Sequence, residues 1–78
     1  MIKLYSQEDC INCEILKDFL KENKIDYTEY DVNKDYTARA FMLMNDLDAT
    51  PAIVKDDQII SGDIEDMKKE IVGKVNVW

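Results

Sequence analysis

Alternating apolar and polar residues along the chain predict four β-strands. Residues 2–5 alternate between apolar and polar side chains, which is the pattern of a half-buried strand. Residues 25–32 are rich in aromatic and β-branched side chains, which also favour a strand. Residues 52–55 and 58–61 flank Asp56-Asp57, so we expect a β-hairpin, although the Asn-Gly or Asp-Gly pair that signals a hairpin most strongly is absent.

Three segments instead have the spacing of an amphipathic helix. The first covers residues 11–24, with Asn23-Lys24 as its expected end, and its apolar positions are Ile11, Ile15, Leu16, Phe19 and Leu20. The second covers residues 36–47, and its broadly apolar face leads us to expect a well-buried helix. The apolar positions of the third are Ile64, Met67, Ile71 and Val72.

Short polar side chains precede the second and third helices. Asn33 or Asp35 can cap the second helix, and Asp63 can cap the third after Gly62 has ended the preceding strand. The order of elements is therefore β-α-β-α-β-β-α. Because a helix joins the first two strands, we expect them to be parallel with a right-handed crossover, in a mixed four-stranded sheet flanked by three helices.

Length and charge limit what the chain can be. Its 78 residues form one expected domain, residues 1–78, with a net charge of −7 from 17 acidic and 10 basic residues. An acidic surface repels phosphate backbones, so we expect no nucleic-acid partner, and no apolar run suggests a membrane segment. With no signal sequence in view, we expect a cytoplasmic protein, in which a structural disulfide would be unusual.

The chemistry of the chain is concentrated in the Cys10-Ile11-Asn12-Cys13 motif. It lies where the first helix begins after the first strand, and residues three apart share a helix face, so the two sulfurs can meet. Unpaired N–H groups and the helix dipole favour a thiolate at this position. We expect the more exposed Cys10 to attack a substrate disulfide, and Cys13 to resolve the mixed disulfide that results.

Charged neighbours should moderate the nucleophile. Glu8, Asp9 and Glu14 flank the motif and disfavour a thiolate. Lys17 lies one turn beyond the motif, and Lys3 could be close in space. We therefore expect the pKa of Cys10 to be lowered less than in a basic site; a measured value at or above about 8.5 would contradict this.

Two other interpretations of the cysteine pair remain open beside redox catalysis. Zinc needs four ligands, and the chain has two cysteines and no histidine, so a metal or iron–sulfur site would require a dimer. The pair could also be inert and buried.

With this motif in place, the chain resembles the glutaredoxin branch of the thioredoxin superfamily over about residues 1–72. The cysteine motif carries the resemblance, together with Thr50-Pro51 before the third strand and Ser61-Gly62-Asp63 after the fourth. The resemblance implies a thioredoxin-like fold with a cis Pro51 against the cysteines, and a Thr50 backbone that pairs with the substrate chain.

The same resemblance implies that Ser61, Gly62 and Asp63 hold the γ-glutamyl end of glutathione, but several residues depart from the family pattern. Ser61-Gly62 replaces a Gly-Gly pair, and the amine-binding aspartate falls on Ile64, with Asp63 or Glu65 as substitutes. The remaining departures are Gln7 in place of a basic residue, with Arg39 or Lys34 as possible sources of positive charge, and Ile11-Asn12 in place of Pro-Tyr.

Three functional hypotheses follow. The first is a dithiol glutaredoxin with glutathione as co-substrate and no tightly bound cofactor. The second is a glutaredoxin-shaped protein that a thioredoxin reductase reduces and that feeds electrons to one protein, such as a ribonucleotide reductase. The third is a non-catalytic dimer that binds a metal or a partner. We otherwise expect a monomer in which Val77 and Trp78 pack on the core.

Overall fold

The computed structural model describes residues 2–73, and its elements follow the predicted order. The strands are β1 (Ile2–Ser6), β2 (Tyr27–Asp31), β3 (Ala52–Lys55) and β4 (Gln58–Ile60). The helices are α1 (Ile11–Glu22), α2 (Tyr36–Met44) and α3 (Ile64–Val72). The expectations for Val77 and Trp78 lie outside the described residues.

The sheet has the order β2-β1-β3-β4 and is mixed, as predicted. β1 and β2 are parallel, with Ile2 opposite Tyr27, whereas β1 with β3 and β3 with β4 are antiparallel. The central strand β1 leads directly into the cysteine motif, so the sheet fixes the position of that motif.

Helices α1 and α2 both close in a Schellman motif. Helix α1 ends at Glu22, beside the expected end at Asn23-Lys24, whereas α2 ends at Met44, earlier than the predicted residue 47. At the end of α1, Ile25 N–H donates to the Leu20 carbonyl at 2.9 Å and Lys24 adopts a φ of 56°. At the end of α2, Leu47 N–H donates to the Met42 carbonyl at 2.8 Å and Asp46 adopts a φ of 57°. Glycine usually occupies this left-handed position, so Asp46 gave no sequence signal for the end of α2, whereas Asn23-Lys24 did mark the end of α1.

Two apolar cores lie on opposite faces of the sheet. Helices α1 and α3 cover one face, where the buried residues are Ile2, Leu4, Leu16, Leu20, Ile53, Ile60, Met67 and Ile71. Helix α2 alone covers the other face, where the buried residues are Tyr5, Ala38, Met42 and Ala52. The Tyr5 ring stacks between Tyr30 and Phe41, with centroid distances of 5.4 and 4.8 Å.

Two expectations about helix burial are wrong. Helix α2 is not well buried: Tyr36, Leu43 and Met44 are exposed, because no other described element packs over its outer side. In α1, Ile11 and Ile15 point away from the core, and the buried positions are Cys13, Leu16 and Leu20. The i, i+4 spacing of Ile11 and Ile15 had suggested that they shared the buried stripe.

The helix starts and the hairpin turn follow the expected side-chain chemistry. Asp35 caps α2 and Asp63 caps α3, whereas Asn33 caps neither helix and instead donates its N–H to the Asp31 carboxylate at 2.8 Å. In the hairpin, Asp56 and Asp57 both have positive φ, at 50° and 70°, as a type I′ turn requires. Over the described range, no helix has the length and apolar character needed to cross a membrane.

Candidate active site

Cys10 occupies the N-cap of α1, at the end of the short loop that follows β1. Its backbone is extended, with φ −110° and ψ 103°, and the preceding residue Asp9 has a φ of 57°. The Cys13 N–H donates to Cys10 Sγ at 3.1 Å. Cys10 Sγ thus accepts a hydrogen bond from one of the N–H groups that a helix leaves unpaired at its start.

Cys10 and Cys13 are joined in a disulfide, so the structure describes the oxidised form of the pair. Their Cα atoms are 5.2 Å apart, in the first turn of α1. Cys13 is completely buried, whereas Cys10 is partly exposed. The prediction that Cys10 attacks the substrate and that Cys13 resolves the mixed disulfide depends on this difference in solvent exposure. The two roles remain a prediction.

Thr50 and Pro51 face the cysteines from the start of β3. The Thr50-Pro51 peptide bond is cis, which confirms the conformation that the resemblance implied. The Thr50 hydroxyl donates to Cys10 Sγ at 3.5 Å, and Pro51 is buried. The sequence had indicated a role only for the Thr50 backbone. Thr50 and Cys10 are 40 positions apart, so only the folded chain brings the hydroxyl to the sulfur.

The surface beside Cys10 is a hollow of about 480 Å³ lined by Asp9, Cys10, Ile11 and Glu14. Ile11 is 78% exposed, so its side chain forms an apolar edge to the hollow. The lining thus combines one cysteine of the disulfide, two carboxylates and one aliphatic side chain.

A polar network that sequence analysis missed ties α1 to the sheet beside the site. The buried Ser6 hydroxyl donates to Glu29 Oε2 at 2.7 Å, and Lys17 Nζ donates to the same oxygen at 3.2 Å. Lys17 Nζ also lies 2.9 Å from Glu14 Oε2. No short-range pattern links these residues, because Ser6 and Glu29 meet only through the parallel pairing of β1 with β2.

This network shifts two pKa values in opposite directions. The Ser6 hydroxyl is the main cause that holds the pKa of Glu29 below its usual value; burial opposes it, and Lys17 adds to it. The hydrogen bond with Glu14 is the main cause that raises the pKa of Lys17, with a further contribution from Glu29. The charge of Lys17 is therefore shared between two carboxylates and is not held for the cysteines.

The other basic residues considered in the sequence lie in different places. Lys34 Nζ is 4.0 Å from Glu8 Oε2, so it reaches the loop before Cys10, but both side chains are exposed. Lys3 lines a separate groove on the α2 side of the sheet, and Arg39 is exposed on α2. None of the residues lining the hollow beside Cys10 is basic.

The Ser61-Gly62-Asp63 segment forms the start of α3. Gly62 has a φ of 112°, a left-handed conformation that favours glycine. The Asp63 carboxylate accepts hydrogen bonds from the Glu65 and Asp66 N–H groups at 3.1 and 3.4 Å. These two helix-terminal donors are thus occupied by a side chain of the protein itself.

The residues of one chain that the structure describes provide no set of metal ligands. Among residues 2–73, no group of three or more cysteine, aspartate or glutamate side chains is placed to hold a metal ion. A site shared between two copies of the chain stays an untested alternative.

With this geometry established, comparisons with known proteins identify the family. Residues 2–60 match the family model described as glutaredoxin. The chain belongs to the glutaredoxin family. The glutaredoxin-like protein NrdH of Lactococcus lactis subsp. cremoris is 29% identical over 62 residues, which cover 80% of this glutaredoxin and 86% of that protein.

Solved structures confirm that this glutaredoxin has a thioredoxin-like fold. A variant of the thioredoxin-like protein BC3987 is 40% identical and has a TM-score of 0.81, covering 91% of this chain and 99% of that chain. The NrdH-redoxin of Escherichia coli, whose structure is described as the basis for a thioredoxin-like activity profile, is 19% identical with a TM-score of 0.76. That match covers 87% of this chain and 91% of that one.

Family membership and the Cys10–Cys13 disulfide together establish the chemistry of this glutaredoxin. It is a thiol–disulfide oxidoreductase. A dithiol that closes into a disulfide carries two electrons to or from another disulfide, and the pair found at the start of α1 has that capacity.

Proposed function

We propose that the protein is a dithiol redoxin that reduces protein disulfides and is itself reduced by a thioredoxin reductase in preference to glutathione. A disulfide of a ribonucleotide reductase is a substrate of the right kind. The NrdH relative from Lactococcus lactis supports this choice by its likeness over 80% of the chain. We place the reaction in the cytoplasm and assign it no tightly bound cofactor.

Cys10 is the nucleophile in this proposal because its sulfur is the accessible one. The Cys10 thiolate attacks one sulfur of the substrate disulfide, forms a mixed disulfide and releases the other substrate sulfur as a thiolate, which takes a proton from water. The buried Cys13 then loses its proton and attacks Cys10 Sγ, which releases the second substrate thiol. Two electrons pass to the substrate, and the protein is left with the Cys10–Cys13 disulfide described above.

Thr50 and Pro51 position both partners in this exchange. The Thr50 hydroxyl donates to Cys10 Sγ, and a donor to sulfur stabilises a thiolate more than a thiol. The Thr50 backbone is the part that would pair with the extended substrate chain, beside the buried Pro51.

The acidic, already capped start of α3 is the main reason to prefer thioredoxin reductase over glutathione as the electron donor. The Asp63 carboxylate already accepts the N–H groups of Glu65 and Asp66, and all three of these side chains are acidic and exposed. A γ-glutamyl carboxylate at this helix start would displace the Asp63 cap and meet three carboxylates at close range, of which, within residues 2–73, only Glu65 is paired with a cation, Lys68 Nζ at 3.5 Å. Ser61 and Gly62 lie in the same segment but add no positive charge.

A comparison of two reducing systems tests the proposal. Turnover of a small neutral disulfide is measured with NADPH and thioredoxin reductase, and separately with NADPH, glutathione reductase and glutathione. We expect turnover with the first system and at least about tenfold less with the second. Turnover with glutathione that equals or exceeds turnover with thioredoxin reductase would overturn the choice of electron donor.

Variants that remove carboxylates test whether the acidic start of α3 disfavours glutathione. Asp63→Ser combined with Glu65→Gln keeps a helix-capping hydroxyl but removes two carboxylates, so it should raise glutathione-dependent turnover. Glu70→Gln, which removes an exposed carboxylate near the other end of α3, is the matched control and should change nothing. If the double variant behaves like the control, the acidic helix start is not what excludes glutathione.

The non-catalytic metal-binding dimer is the competing function. It predicts bound zinc or iron in the purified reduced protein, in a ratio of one metal site to two chains. Metal analysis together with sedimentation of the reduced protein separates this outcome from the redoxin.

A further inference from the structure

We propose that the hollow beside Cys10 selects substrate disulfides whose cysteine is flanked by basic and apolar residues. This inference rests on the proposed function, because it names the class of protein segment that the same site takes. The occupant is an extended segment with Lys or Arg next to its cysteine and an aliphatic side chain close by.

The charges around the reactive sulfur support a basic segment. Asp9 and Glu14 line the hollow itself, and Glu8 lies in the loop just before it. Asp9 forms no ion pair with any residue in the described range 2–73. Lys34 stands 4.0 Å from Glu8 with both side chains exposed, so solvent and salt screen that pair.

The Lys17 ammonium group, which is paired with Glu14, does not cancel this charge. Lys17 Nζ is 2.9 Å from Glu14 Oε2 and 3.2 Å from Glu29 Oε2, so one ammonium group serves two carboxylates. The surroundings of Cys10 thus contain four carboxylates and two ammonium groups. A positively charged substrate segment would be attracted to this site, and a negatively charged one would be repelled.

The apolar part of the preference comes from α1. Ile11 is 78% exposed and Ile15 is 38% exposed, and they lie one turn apart on the same outward side of the helix. Their side chains make a small aliphatic surface at the edge of the hollow. An aliphatic side chain of the substrate that covers Ile11 would remove apolar surface from water on both partners.

Single-turnover reduction of three matched peptides tests the inference without any reductase. The peptides share one intramolecular disulfide and differ only in having Lys, Gln or Glu beside the attacked cysteine. The protein is reduced beforehand, and formation of its Cys10–Cys13 disulfide is followed. Each rate is divided by the rate with dithiothreitol, because a neighbouring positive charge by itself makes a sulfur a better leaving group.

We expect the normalised rate for the Lys peptide to exceed that for the Glu peptide by about tenfold at low ionic strength, with Gln between them. The ratio should fall towards one as salt is added. Asp9→Asn, which tolerates the positive φ of this position, and Glu14→Gln should each lower the ratio by about two- to threefold. Glu70→Gln, a distant control on α3, should leave the ratio unchanged.

Each outcome has a distinct meaning. Equal normalised rates for the three peptides would overturn this inference while leaving the proposed redox function intact. A preference that salt does not change would also overturn it, because the cause would not be electrostatic. Failure of the reduced protein to reduce any of the peptides, when dithiothreitol reduces them all, would overturn the proposed function itself.

Discussion

Replacing Ser6 with alanine should destabilise the protein in a pH-dependent way. Ser6 is 3% exposed, and its hydroxyl donates to Glu29 Oε2 at 2.7 Å. A hydrogen bond to a charged group contributes about 1.5–3 kcal/mol. The Glu29 side chain is 38% exposed and keeps its bond to Lys17, so solvent screening should reduce this to about 1–1.5 kcal/mol.

The pH dependence follows from the direction of the pKa shift. The pKa of Glu29 is lowered in the folded protein, first by the Ser6 hydroxyl, so the unfolded chain binds the proton more readily. The stabilisation is therefore fully present above the unfolded pKa of about 4.3 and is lost as the pH falls through the lower folded value. The difference between wild type and Ser6→Ala should shrink as the pH is lowered from 7 towards 3.

Chemical unfolding of the oxidised proteins at several pH values measures this effect, and thermal unfolding should show a decrease in Tm of about 6–9 °C at pH 7. Ser61→Ala, which removes an exposed hydroxyl, is the control and should change stability little. A double-mutant cycle with Glu29→Gln isolates the pair. A loss at pH 7 below about 0.3 kcal/mol, or an equal loss at pH 3, would refute the assignment of the Ser6–Glu29 bond as a stabilising contact of a charged carboxylate.

Three further predictions concern the reactive pair and the hairpin. Cys10→Ser should abolish disulfide reduction, whereas Cys13→Ser should still form a mixed disulfide detectable by mass spectrometry; activity in Cys10→Ser would disprove the choice of nucleophile. Thr50→Val should slow reduction of a small neutral disulfide at pH 7 about threefold, whereas Thr50→Ser should not, because only the valine lacks the hydroxyl that donates to sulfur. Asp57→Gly should stabilise the protein by about 0.5 kcal/mol in urea unfolding, because glycine adopts the φ of 70° without strain; a destabilised variant would show that the aspartate side chain matters more than its backbone.

The architecture could be predicted from the sequence because local patterns determine most of it. Alternation gave β1, helical spacing gave the three helices, and the aspartates before α2 and α3 marked their starts. The end of α1 could be placed at Asn23-Lys24, but the end of α2 could not, because Asp46 takes a left-handed conformation that glycine usually adopts. The exposure of α2 also escaped prediction, since spacing identifies an apolar side but not which neighbour covers it.

Some features of the candidate site could be predicted from the sequence, and others could not. The cysteine pair and the cis Thr50-Pro51 bond could be found because a short motif or a family resemblance carries them. The Ser6–Glu29 contact joins residues 23 positions apart, so it depends on the register of β1 against β2. Contacts of this kind follow from the assembled sheet and have no signature along the chain.

The N-cap of α1 has an unusual consequence, because the atom that caps the helix is also one of the two sulfurs of the Cys10–Cys13 disulfide. Cys10 Sγ is a disulfide sulfur in the oxidised protein, and reduction would turn this capping atom into a thiol or a thiolate. A thiolate is the stronger acceptor for the Cys13 N–H that points at it. The amide proton of Cys13 should therefore exchange with solvent more slowly in the reduced protein, so that hydrogen exchange at one backbone position follows the redox state of the whole molecule.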